Sequence, residues 1–525
     1  MKSATQLILI ALFGAVFVLG LSCSSDEPYD PEYAWKHVHY LDRALAITFK
    51  ENGIRQWEWF RGAELDMSPI PGGKLAFYDH QWFRQWRGQI PDAELNRKAS
   101  LMYRYTLEAQ LNYDALAVRD STRVTKRIND FTPEVAGQAM KISEAKRQLH
   151  TEPDPARRKQ IWEALFVDLG RSNHLDVKRL IKHRNRVARR WGHRNFYEAW
   201  MESNGFDLKQ LDKLFEALDE RTRTPYFERF AGGQDKAAIA PWDISYFNHE
   251  FREAIEPYLG KGKLLDRIHR TLLDMGFDDA LRGITVDSEE GEGRSSHYFT
   301  FVVEIPEDIR ILVTPGAGMD PYRLTFHEFG HALYYREVRQ TDFIYRLPGS
   351  DAWSEGLAKT IERIPYRAGW LSRYGGVPEE TAAMITAYNQ GDELVKIRRF
   401  LALHEFEKRI YENPDEDYTE LYRECMAEYQ AMRSLPEPAW ASDIHLVSQP
   451  MSNFSYIMAR LIQAQIHRTM RQTFGEAFGN PQVGQFLKDK FYQPGSSRHW
   501  RELLKEATGQ DLSIEPYIKD ELMLH

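Results

Sequence analysis

Apolar residues recur three and four positions apart, between charged ones, over most of this chain: in 94–116, 133–149, 155–168, 174–191, 208–223, 248–258, 264–275, 381–410 and 417–433. On a helix of 3.6 residues per turn that spacing gathers the apolar side chains into one stripe, so each segment is predicted to be a helix with one buried face. One region keeps a different rhythm. Residues 297–303 and 309–314 are rich in β-branched and aromatic side chains and are joined through Pro306, which predicts an antiparallel pair of strands. A strand with an open edge holds an extended peptide by backbone hydrogen bonds. The chain therefore reads as mainly α with a small antiparallel β element, and it shows no short internal repeat and no low-complexity block.

With 525 residues, 42% of them hydrophobic, the chain is long enough to bury a large core. Its net charge of −8 leaves no broad basic excess, which argues against a nucleic-acid partner. The densest basic run, His183 to Arg190, reads as a solvated helix face with Val187 and Ala188 turned inward. Only two cysteines occur, Cys23 and Cys425, and the second lies in a helical pattern where it reads as a small buried hydrophobe.

The N-terminus sets the compartment. Lys2 precedes an apolar stretch from Leu7 to Leu21, short for a membrane span and suited to a secretory signal over 1–22. Small residues then lead into Cys23, as in a bacterial lipobox, although Gly20 stands where leucine is usual. Cys23 is the candidate lipidation site, and the polar stretch 23–35 reads as a tether to a single domain over 36–525. These features predict an exported protein, lipid-anchored in a bacterial envelope. An uncleaved anchor and a plain secretory signal are the alternatives.

The candidate chemistry is carried by His327-Glu328-Phe329-Gly330-His331 and, with 23 residues between it and His331, by Glu355. Histidines four apart on a helix project from one face and converge on a metal. Glu328 is turned about 100° from its neighbour, off the metal and close to the water a metal would activate, where a general base belongs. Asp320 is the predicted N-cap, Pro321 suits the first turn, and apolar residues over 324–335 supply a buried face. Pro348-Gly349 marks a turn, and 350–359 reads as a loop entering a second helix that runs to about residue 364 and returns antiparallel. Its Glu355 supplies the third ligand, leaving one position open, which makes one Zn2+ per chain the expected cofactor.

These residues resemble the gluzincin peptidases, and in particular the angiotensin-converting-enzyme family, with the thimet-type oligopeptidases as relatives. The resemblance extends over most of the chain: 184–200 (RNRVARRWGHRNFYEAW), 305–331, and 486–517 with Ser497-Arg498-His499-Trp500. It implies an ellipsoidal, two-lobed helical peptidase with a deep central cleft that admits short peptides. It implies that His297, 30 residues before His327, and Tyr298 lie on the substrate-binding strand. Ile462-Gln463-Ala464-Gln465-Ile466-His467 is similar to a family helix whose start carries a tyrosine that stabilises the transition state. Tyr456 falls at that position. His445 matches a supporting histidine with one residue inserted.

Three departures limit the carry-over. Lys359 stands where the family has an acid one turn after the metal glutamate, so the acid that orients a ligand histidine must come from elsewhere. Ser455 replaces an arginine tied to chloride activation. Asn453 replaces a tyrosine that grips the substrate's C-terminal carboxylate. The reading is a monomeric zinc metallopeptidase cleaving short peptides as a peptidyl-dipeptidase or oligopeptidase. Its rivals are an inactive envelope peptide-binding lipoprotein on the same scaffold and a metallocarboxypeptidase that removes single residues.

Overall fold

A computed structural model describes residues 29–63, 80–112, 114–232, 239–278, 281–289, 297–432 and 435–524. Cys23 and the signal segment lie outside the described residues. The fold is mainly helical, and among the described residues no helix is long and apolar enough to cross a membrane.

The stretch read as the end of a tether is instead the start of a 30-residue helix, α1 (Pro31–Phe60). Asp30 caps it by accepting from the amides of Glu32 and Tyr33, and Pro31 fits the first turn because it has no amide hydrogen to satisfy. Two further expectations are corrected. The helix predicted over 133–149 opens as a two-strand ladder, β1 (Glu134–Val135) and β2 (Gln138–Ala139), turned by Ala136 and Gly137 at φ +53° and +78°, and only Ile142–Thr151 is helical. The helix predicted over 94–116 stops at Asn112, and a second one, capped by Asp114, runs Ala115–Asp130.

The predicted strand pair forms as β4 (Phe299–Glu304) antiparallel to β5 (Asp308–Leu312). It is joined by a strand the sequence did not reveal, β3 (Ile284–Asp287), parallel to β5, so the sheet is mixed, in the order β3-β5-β4. Helix α1 packs on β4. Trp57 and Phe60 meet Phe301 and Phe299 with ring centroids 5.6 and 4.6 Å apart, and a Cβ on Gly53 would lie 2.0 Å from the Val302 carbonyl oxygen. Only a glycine allows that approach.

α2 (Leu169–Arg190) carries the basic run. Val187 and Ala188 are inward as predicted, but His183, Arg184 and Asn185 are buried with them. The centre of the fold is a stack of α3 (Met319–Glu337), α4 (Asp351–Glu362) and α6 (Ser452–Phe474), flanked by the 34-residue α5 (Glu379–Glu412). α4 is squeezed between the other two by a glycine on each contact: a Cβ on Gly330 would fall 2.5 Å from the Ala358 Cα, and one on Gly356 would fall 2.7 Å from Ile462 Cγ2. Asp320 is not the N-cap of α3. It lies inside the first turn, where its carboxylate is 2.8 Å from Arg252.

Candidate metal centre and active site

The close crossing at Gly330 sets the register of α3 against α4. His327 faces Glu362, Gly330 faces Ala358 and His331 faces Ser354, so the two helices run antiparallel and Glu355 comes up beside both histidines. His327 Nε2 and His331 Nε2 are 3.2 Å apart, and the two Glu355 oxygens lie 3.4 Å from the first and 3.6 Å from the second. Tetrahedral coordination with bonds of about 2.0–2.1 Å requires donor atoms about 3.3 Å apart, and the three edges bracket that value. The hydrogen bonds around the rings agree. His327 Nδ1–H donates to Glu362 Oε2 at 3.0 Å, which turns its Nε2 toward His331 and Glu355, and His331 Nδ1 lies 3.2 Å from the Ser354 hydroxyl. A cation is what satisfies three converging acceptors, and the donor set of two imidazoles and one carboxylate fits zinc.

Charge around the centre is strongly coupled. Burial works against a charged Glu355, but His327 and His331 outweigh it and hold its pKa at about 2. Burial likewise works against protonation of His327, and Glu355 and Glu362 reverse that.

Glu362 is the acid that the sequence placed elsewhere without naming. It stands two turns after Glu355 on the same face of α4, only 3% exposed. Its Oε2 also accepts from Lys359 Nζ at 2.7 Å, and its Oε1 from Arg323 at 3.1 Å. The spacing from 355 to 362 was readable as a shared helix face. The partner His327 was not, because it depends on how α3 crosses α4.

Glu328 is buried, with its Oε2 2.8 Å from the Thr300 hydroxyl, which is also 2.9 Å from the Glu328 carbonyl oxygen. Thr300 thereby ties the candidate base to the start of β4. Tyr456 and Glu355 line one cavity of about 450 Å3 together with Ser121, Arg184, Asp351 and Ser455. Burial and the nearby Glu355 raise the Tyr456 pKa, so its hydroxyl keeps its proton at neutral pH. His445 lies edge-on to Tyr456, ring centroids 6.0 Å apart, and its Nδ1–H donates to Asp443 at 2.9 Å. Burial opposes a charged His445, but Asp443 overcomes it and raises the pKa. Asp443 was not singled out from sequence.

The segment leading from His445 to Tyr456 is held from below. Arg184 donates to the Leu446 carbonyl at 2.6 Å and to that of Val447 at 2.5 Å, while Glu407 accepts from the Met451 amide at 2.8 Å. Met451 itself takes a φ of +65° just before α6. His297 and Tyr298 stand at the approach to β4 and not among the three metal donors. The Tyr298 hydroxyl donates to the Thr314 carbonyl, and burial and Lys146 lower the His297 pKa.

Three comparisons bear on this arrangement. The sequence profile of Peptidase family M3 matches residues 377–521, a portion that contains His445 and Tyr456 but not the paired histidines. An angiotensin-converting enzyme-related protein of Drosophila melanogaster is 22% identical over 233 residues, 39% of this chain; the match spans 36%, about a third, of that relative's length. The fold is similar to the crystal structure of an M32 carboxypeptidase from Deinococcus radiodurans R1, with a TM-score of 0.62 and 16% identity over 93% of this chain and 97% of that one. These likenesses support a relation to the gluzincin peptidases, in the group related to the thimet oligopeptidases, with the family profile covering under a third of the chain.

Proposed function

We propose that this protein is a zinc metallopeptidase that hydrolyses short peptides, as a peptidyl-dipeptidase or an oligopeptidase. The observation that carries the reading is the convergence of Nε2, Nε2 and carboxylate at 3.2 to 3.6 Å, next to the buried Glu328, with Glu355 and Tyr456 lining one cavity. A zinc ion held by His327, His331 and Glu355 supplies Lewis acidity to the attacking water and to the peptide carbonyl. Glu328, oriented by Thr300, takes the proton of that water and later delivers it to the leaving amine. Tyr456 and His445 donate hydrogen bonds to the carbonyl oxygen as it becomes negative. The substrate lies extended along the approach from His297 into β4. The chain is exported and held at a bacterial envelope by a lipid on Cys23, and it acts as a monomer without a nucleic-acid partner.

A single-residue carboxypeptidase is a second reading, favoured by the likeness of the fold to an M32 carboxypeptidase. A peptide-binding lipoprotein without turnover is a third, favoured by Ser455 and Asn453. Metal content and peptide hydrolysis, measured on the wild type and on Glu328→Gln, test the proposal. The variant is expected to keep its metal and lose activity by about 10³-fold or more, and undiminished hydrolysis would remove Glu328 from the mechanism. Analysis of the products then separates dipeptide release, single-residue release and internal cleavage.

A further inference from the structure

Lys359 is one of the three departures from the resembled family pattern, and the structure gives it a specific place. It is 5% exposed, and its Nζ lies 2.7 Å from Glu362 Oε2, the same oxygen that accepts from His327 Nδ1–H at 3.0 Å. The other Glu362 oxygen is engaged by Arg323 at 3.1 Å. On the far side, Lys359 faces Glu393 and Arg460 from α5 and α6, and those two pair with each other at 3.0 Å.

A carboxylate on the outer nitrogen of a ligand histidine draws its proton and makes the imidazole more electron-rich, which tightens metal binding and lowers the metal's pull on electrons. A second cation on the same carboxylate oxygen acts in the opposite direction. It also adds a positive charge close to the seat of a dication, which weakens binding of that dication. A lysine that served only as a counter-ion would meet Glu362 at either oxygen. This one shares the oxygen that His327 uses.

We propose that Lys359 is a positioning residue for the reaction, one that fixes the Glu362 carboxylate against His327 and draws off part of its charge, so that a metal in this centre binds less tightly and withdraws electrons more strongly. The inference rests on the peptidase reading for its kinetic part, but its metal-binding part stands apart from turnover. In place of the short-range acid of its relatives, this chain uses an acid one turn further on, moderated by a cation.

The test uses the full chain with Lys359→Met, Lys359→Gln and, as the conservative change, Lys359→Arg. Zinc affinity is measured by competition with a chromophoric chelator, and the pH profile of kcat/KM is measured with a peptide. Loss of the charge is expected to tighten zinc binding and to lower kcat, each about 10-fold, with the acid limb of the profile moved to higher pH. Arginine is expected to restore both. Lys359→Gln keeps a donor without the charge, and it gives the answer if the methionine variant does not fold. Looser zinc binding in both uncharged variants, or unchanged affinity and profile, would overturn the proposal by reducing Lys359 to a structural counter-ion. If the wild type hydrolyses no peptide, the peptidase reading fails while the zinc affinities still decide the role of Lys359.

Discussion

Gly330 sits between the two candidate ligand histidines, and replacing it with alanine tests whether the α3–α4 crossing is what assembles the centre. In an exposed helix the change would stabilise by about 1 kcal/mol, because alanine is the better helix former. Here the added methyl meets backbone, not a yielding side chain: the Ala358 Cα at 2.5 Å, its oxygen at 2.6 Å and its carbonyl carbon at 3.0 Å. Ordinary carbon contacts are about 3.5–4.0 Å, so α4 has to retreat by about 1 Å at this point. Overpacking of this kind costs about 1–3 kcal/mol, and rigid neighbours put it near the top of that range, leaving a net loss of about 2 kcal/mol. The same retreat carries Glu355 away from both rings and opens edges that now measure 3.4 and 3.6 Å. Zinc affinity should fall about 10–100-fold, the scale seen when a ligand's supporting shell is disturbed. Thermal melts should drop by a few degrees, since each kcal/mol moves Tm by about 2–4 °C in domains of 150–250 residues and by less in longer chains. Melting with and without zinc, together with chelator competition, reads both effects. A Gly330→Ala protein that melts at or above the wild-type temperature and holds zinc as tightly would refute the argument.

Other outcomes follow from Tyr456 and His445. Tyr456→Phe should lower kcat about 10²–10³-fold with little change in KM, since its hydroxyl is assigned a bond made as charge develops; steady-state kinetics on one peptide checks this, and a pure KM effect would move Tyr456 to substrate binding. His445 offers an Nε2–H only while protonated, because Asp443 takes the other ring hydrogen, so activity should decline on the alkaline side as pH passes its raised pKa. Asp443→Asn removes the group that raises that pKa, and the decline should begin at lower pH. An alkaline limb unmoved by this substitution would take His445 out of the reaction.

Much of the helical architecture was legible because buried and solvated faces alternate in segments such as Leu264–Asp274 and Leu169–Arg190. Helix α1 was not legible. Ala34, Val38, Leu41 and Leu45 form its buried stripe, but Tyr33, Trp35, Tyr40, Ile47 and Ile54 are exposed, so large apolar residues occupy both faces and the periodicity is lost. In the stretch 133–149 the turn at Ala136–Gly137 prevailed over a helical spacing of apolar residues. Strand β3 is four residues long and pairs in parallel with a strand beyond the next one in sequence, which no local pattern reports. The three candidate metal donors were readable, the two histidines from their spacing on one helix turn and Glu355 from its place at the start of the next helix. Glu362, Thr300 and Asp443 were not, because each acts through a neighbour that only packing supplies.

The covering of β4 by α1 has a practical corollary for anyone shortening this protein. A version trimmed to begin after Phe60 would retain every residue assigned here to chemistry, yet it would strip Trp57 and Phe60 from Phe299 and Phe301 and leave the Val302 backbone bare where Gly53 now rests. An aromatic sheet face uncovered in this way invites chain-to-chain pairing. The first described helix is thus a cover on the strand that steadies Glu328 through Thr300, and a shortened version has to keep it from Asp30 onward.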